Sequence, residues 1–131
     1  RENVEIDLNF DSARIMVVGD NDLNREVLSE TLKKKGAEIT TLDNGKAAIE
    51  KAEQGNFDII FMDIKMPKID GVEASKQIKE INSNIPIVAT TAGSDQEMEK
   101  KYINTIFDDI IHKPFQKNQI KKILKKYLEN K

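Results

Sequence analysis

The sequence predicts a doubly wound α/β domain, a five-stranded parallel sheet with five helices on its two faces. Two observations carry this. Short apolar runs alternate strictly with segments of helical period, the pattern of a parallel sheet joined by helical crossovers. The runs are continuous rather than alternating, as expected where helices cover a strand on both sides.

Taken in order, Ile15-Met16-Val17-Val18 is the first strand. Asn21 or Asp22 can cap the helix that follows, which runs to about Lys35 and is stopped by Gly36. Residues 37–42 make a weaker strand ended by Asp43-Asn44-Gly45, and the next helix reaches Gln54 before Gly55. Phe57 to Met62 is the third strand, and Asp70-Gly71 opens a helix to Ile81. Ile85 to Thr90 is the fourth strand, followed by a helix from Asp95 to Asn104, and Ile106 to Ile111 is the fifth. Ile120, Ile123, Leu124, Tyr127 and Leu128 form the apolar stripe of the last helix. Residues 1–13 are polar and aperiodic and read as a linker or N-terminal arm, leaving 14–131 as the folded domain. The opening Arg1-Glu2-Asn3-Val4 resembles neither a signal peptide nor an initiator start, so a longer parent protein is expected.

Composition narrows the function. Twenty-one basic residues against 23 acidic ones give a net charge of -2, which supplies no general attraction to nucleic acid or an anionic membrane. The absence of cysteine removes thiolate metal sites, disulfides and cysteine nucleophiles, and fits a reducing, cytoplasmic compartment. No apolar run approaches the ~20 residues of a membrane span.

Open parallel sheets place their ligands beyond the carboxyl ends of the strands. The residues there are Gly19-Asp20, Asp63, Thr91 and Lys113. Together they offer two carboxylates, a hydroxyl and an ammonium. A carboxylate can attack phosphorus to form an acyl phosphate, and the transferred group then needs cations and hydrogen-bond donors around its oxygens. A hard divalent cation on Asp20 and Asp63 would serve, with Lys113 as a compact fixed charge. Each residue alone would read as a cap or a solvated side chain; their convergence is what points to a site.

The motifs Ile15-Met16-Val17-Val18-Gly19-Asp20-Asn21, Met62-Asp63-Ile64-Lys65-Met66-Pro67-Lys68-Ile69-Asp70-Gly71, Ile87-Val88-Ala89-Thr90-Thr91-Ala92 and His112-Lys113-Pro114-Phe115 resemble those of bacterial response-regulator receiver domains, over residues 14 to about 130. The resemblance implies the flavodoxin-like strand order 2-1-3-4-5 and a phosphorelay function, with phosphoryl transfer from phosphohistidine to Asp63. It implies Mg2+ as cofactor, held by Asp20, Asp63 and the Lys65 carbonyl. Thr91, the Ala92 amide and Lys113 would hold the phosphoryl oxygens, and the Lys113-Pro114 peptide would be cis. The implied partner is a histidine kinase or a histidine phosphotransfer domain, and a second copy of this chain is a candidate partner through the fourth and fifth helices. Asp20-Asn21-Asp22-Leu23-Asn24 further resembles receivers fused to hybrid histidine kinases.

Two positions depart from that pattern. The family usually carries two adjacent acids after the first strand, and here the first is Gly19, which removes one charge from the metal site. Ile110 stands where an aromatic often couples to the threonine. Both favour the rival reading, a degenerate receiver that acts as a binding or dimerisation module without phosphorylation. A flavin binder is opposed by the acids at Asp20 and Asp22, and an aspartyl phosphatase by Lys65 in place of its second acid. Asp58 and His112, and Met62 with Met66, read as structural or packing residues. Lys117, Lys121, Lys122, Lys125 and Lys126 read as a solvated face, or as a docking surface for an acidic partner.

Overall fold

The computed structural model describes residues 13–34, 36–64, 66, 70–91, 100–103, 105–113 and 115–128. Five strands, β1 (Arg14–Val18), β2 (Glu38–Leu42), β3 (Ile59–Asp63), β4 (Ile87–Thr91) and β5 (Asp109–His112), form one parallel sheet in the order β2-β1-β3-β4-β5. This is the predicted strand order. The named helices are α1 (Asp22–Lys33), α2 (Gly45–Gln54), α3 (Gly71–Ile81) and a C-terminal helix, Lys117–Leu128. Of the predicted helix 95–104, residues 100–102 are helical, whereas 92–99 and 104 lie outside the described residues. So do the arm up to residue 12, the Lys65 carbonyl, Ala92 and Pro114 with its expected cis bond.

Alternation along each strand sorts the core into two layers. Met16, Val18, Ile60, Met62, Ile87 and Ala89 face α2 and α3, where Ala48, Ala52, Ala74 and Ile78 complete the packing. Ile15, Val17, Ile59, Phe61, Val88 and Ile111 face the other way, against Leu28 and Leu32 of α1 and Ile120, Ile123, Leu124 and Leu128 of the C-terminal helix. Met62 and Met66 are buried packing residues.

Helix starts follow side-chain caps. The open choice at α1 resolves to Asn21, whose Oδ1 accepts from the Asn24 amide at 2.9 Å. Asn44 caps α2 and Asp70 caps α3 in the same manner. Gly36 follows α1 with φ 92, a left-handed conformation that glycine adopts without a Cβ penalty.

The amino-terminal rim of the sheet is tied by polar side chains. Asp58 Oδ2 accepts from the Arg14 amide at 2.8 Å, its structural role. Asp108 Oδ2 accepts from the Ile87 amide and from Lys79 Nζ. Tyr127 donates its hydroxyl proton to the Asp108 carbonyl at 2.9 Å and lies 3.1 Å from Asp109 Oδ2, which also accepts from Lys126. Burial and the neighbouring Asp109 charge raise the Tyr127 pKa above 10.0. A folded-state pKa above the unfolded value gives stability that is present below the unfolded pKa and is lost as pH rises through the folded one. Loss of the hydroxyl's hydrogen bond to the Asp108 carbonyl in Tyr127→Phe should cost about 1 kcal/mol near neutrality. Thermal melts of the two proteins should converge above pH 10, and a constant difference up to the alkaline limit would refute this assignment.

Candidate functional site

All five strands point their carboxyl ends to one rim. Asp63 closes β3 there, 6% exposed. It is seated by its neighbours' backbone: Ile64 N donates to the Thr90 carbonyl, and Gly71 N donates to the Ile64 carbonyl. The second contact places the first turn of α3 on the chain just after Asp63. Position 71 is glycine for a steric reason, since a Cβ there would lie 2.1 Å from the Asp63 carbonyl oxygen.

Lys113 follows β5, held by its own amide donating to the Thr91 carbonyl at 2.8 Å. Its Nζ reaches back 2.9 Å to Asp63 Oδ2. Thr91 ends β4 and is buried; its strand neighbour Thr90 is in register with Asp63 and lines the cavity that Asp63 and Lys113 share. Asp20 is exposed, just past β1. Asp63, Thr91 and Lys113 thus come from the carboxyl ends of the adjacent strands β3, β4 and β5. Ile110 packs half-buried against the α2–α3 layer of the core.

One residue of the site was not anticipated. Arg25, in the first turn of α1, donates from Nη1 to the Gly19 carbonyl and from Nη2 to Asp22 Oδ1. Its side chain is 18% exposed, and it lines one small cavity together with Gly19, Asn24, Asp63, Thr90, Lys113 and Phe115. Asp22, itself exposed, is thereby paired with this arginine. The sequence signal was a basic residue one helical turn past the capping Asn21, which periodicity alone assigns to a solvated face.

The fit of Mg2+ rests on the donors. Mg2+ takes one or two carboxylates, with waters and phosphate oxygens completing an octahedron. A buried Asp63 and an exposed Asp20 on the same rim meet that minimum. Among the described residues no group of three acidic, cysteine or histidine side chains is placed to hold a metal, so the carboxylate count stays within the one or two that Mg2+ takes.

Comparison with known proteins agrees with this geometry. Residues 15–125 match the model of the response regulator receiver domain. The chain is 36% identical over 125 residues to the hybrid signal transduction histidine kinase L of Dictyostelium discoideum, covering 89% of this chain and 7% of that protein. The receiver domain of a Pseudomonas aeruginosa sensor histidine kinase, with a magnesium ion coordinated in its active-site cleft, superposes with a TM-score of 0.81 at 28% identity, covering 89% of this chain and 98% of that one. A co-crystal structure of the Saccharomyces cerevisiae histidine phosphotransfer protein Ypd1 with the receiver domain of its downstream regulator Ssk1 matches with a TM-score of 0.81 at 26% identity, over 90% of each chain. The chain spans only 7% to 15% of the curated relatives it matches. From the strand order, the carboxylate–ammonium pair at the ends of β3 and β5, and these matches, the chain belongs to the response-regulator receiver family of two-component signalling proteins.

Proposed function

We propose that Asp63 is the phosphoacceptor of this domain, taking a phosphoryl group from a phosphohistidine of a histidine kinase or histidine phosphotransfer domain. The observation that carries the reading is the buried Asp63 carboxylate held 2.9 Å from the Lys113 ammonium at the sheet's carboxyl rim. One carboxylate oxygen attacks phosphorus while the phosphorus–nitrogen bond breaks. The imidazole leaves with the bonding pair and regains its proton from solvent, and an acyl phosphate remains on Asp63. Lys113 then stands where the new phosphoryl charge develops, and Thr91 offers a hydroxyl from the next strand. Mg2+, held by Asp20, Asp63 and the Lys65 carbonyl, would supply further charge neutralisation. The Ala92 amide completes the oxygen-binding set in this proposal.

The approach of a partner is supported by α1. Leu23 and Val27 are 66% and 45% exposed, four residues apart on one helix face that begins beside the site. Such a pair suits docking of a helix that carries the phosphohistidine. The likeness to hybrid kinase receivers supports a place within a larger, cytoplasm-facing kinase, with residues 1–13 as its linker.

Separate variants test the division of labour. Lys113→Ala should leave Mg2+ affinity close to the parent value, because the ammonium is not a ligand, and should cut phosphoryl incorporation from acetyl phosphate. Thr91→Ala should still label but lose the conformational response, read as amide shift changes on phosphorylation. If both variants label and respond like the parent, the proposed site is wrong.

A further inference from the structure

Arg25 has no counterpart in the chemistry assigned so far. Its stem runs over Gly19: a Cβ built at position 19 would sit 3.8 Å from Arg25 Cγ and 3.4 Å from both Cβ and Oδ2 of Asp63. The space left by the missing side chain is therefore walled by Asp63 on one side and Arg25 on the other. The guanidinium is anchored on either side of Asp20, by the Gly19 carbonyl one residue before it and the Asp22 carboxylate two residues after it. It faces the same cavity as Asp63 and Lys113.

The charges explain what this does. Asp20, Asp22 and Asp63 contribute three negative charges, and Lys113 and Arg25 two positive ones, leaving the rim at -1 by subtraction. Guanidinium stays charged across the whole working pH range, so no acidity change relieves it. A divalent ion brought to Asp20 and Asp63 meets a positive charge fixed by two bonds rather than a side chain free to swing into water.

We propose that Arg25 is a resident counter-cation of the acidic rim, which competes with Mg2+ and with Gly19 sets the affinity for the metal. Arg25 is a positioning residue in this role, and the inference rests on Asp20 and Asp63 being the metal's carboxylates. It also changes what Gly19→Asp should do. A Cβ at position 19 meets only ordinary van der Waals contacts, and the carboxylate it carries enters beside Asp63 and Arg25. Part of its charge is then spent on the arginine.

The test is a Mg2+ titration, followed by amide chemical shifts, of the parent, Gly19→Asp, Arg25→Gln and the double variant. Arg25→Gln should bind Mg2+ about three- to ten-fold more tightly, with a smaller gain at high salt. Gly19→Asp alone should gain less than the same substitution made on the Arg25→Gln background, so the double variant should exceed the product of the single effects. Arg25→Lys keeps the charge and should stay near the parent. Arg25→Met keeps the stem over Gly19 and should reproduce Arg25→Gln, which separates charge from packing. Unchanged or weaker binding in Arg25→Gln and Arg25→Met overturns the proposal, as does a strictly multiplicative double variant or an absence of Mg2+ binding in every protein. Acetyl-phosphate labelling of the same variants is scored separately. Failure of Asp63 to label in all of them would overturn the phosphoacceptor reading, while the titration still decides the role of Arg25.

Discussion

Asp63→Asn should reduce phosphoryl incorporation to background while the domain stays folded. The substitution keeps the shape of the side chain, and its amide oxygen can still accept from Lys113, which stands 2.9 Å from Oδ2 in the parent. What it removes is the anionic oxygen proposed to attack phosphorus, and among the described residues no other carboxylate closes a strand of the sheet. Asp20 is exposed and Asp22 is bonded to Arg25. Incubation with acetyl phosphate and Mg2+, read by intact mass, should show an added phosphoryl group on the parent and none on the variant. Labelling at the parent level would remove Asp63 from the role. A parent that never labels, even with a phosphorylated histidine partner, would instead establish the degenerate receiver that Gly19 and Ile110 suggested.

The second large effect is expected at Gly71, outside the reacting groups. A methyl at this position would stand 2.1 Å from the Asp63 carbonyl oxygen and 2.8 Å from Ile64 Cα. Both are backbone atoms of the segment that positions the acceptor, so neither can swing aside. Gly71→Ala must push α3 away from β3, stretching the 2.9 Å bond from Gly71 N to the Ile64 carbonyl and loosening Ala74 and Ile78, both fully buried. Overpacking against backbone should cost about 3 kcal/mol, which lowers the melting temperature by ~10 °C in a domain of this size. Labelling of Asp63 should slow as well, because its carboxylate shifts relative to Lys113. A variant that melts within ~2 °C of the parent would show that α3 has more slack than this contact allows.

The sequence carried the topology well because its signals were local and mutually consistent. Strict alternation, side-chain caps at Asn44 and Asp70, and the positive-φ glycine after α1 each fixed a boundary. Boundaries failed where an apolar residue served something other than the sheet ladder. Phe57 was assigned to β3 but packs beneath it, with the Arg14 guanidinium 5.0 Å from its ring centre. Ile85 joins a turn, its amide bonded to the Asn82 carbonyl. Ile106 and Phe107 were assigned to β5, yet their amides both donate to the Tyr102 carbonyl at the close of a helical turn. Of the candidate site, the residues at strand ends were legible, because parallel topology forces them onto one rim. Arg25 was not legible. Nothing in its spacing shows that the missing side chain at Gly19 leaves a channel for its stem.

Side-chain hydrogen bonds tie the amino-terminal rim of the sheet across several elements. Asp58 grips the start of β1, Asp108 joins β4 to α3 through Lys79, and Tyr127 fastens the start of β5 to the C-terminal helix. The opposite rim carries the Asp63–Lys113 pair. A sheet pinned at its base behaves as a set of cantilevers, in which a load at the far end acts with the longest lever arm. New charge at the tip of β3 would therefore be felt first by the groups bonded at that tip, Lys113 and the Ile64–Thr90 backbone contact. The proposed modification of Asp63 would thus load the rim opposite the one these side chains hold, with the fully buried core residues Phe61 and Met62 lying between the two.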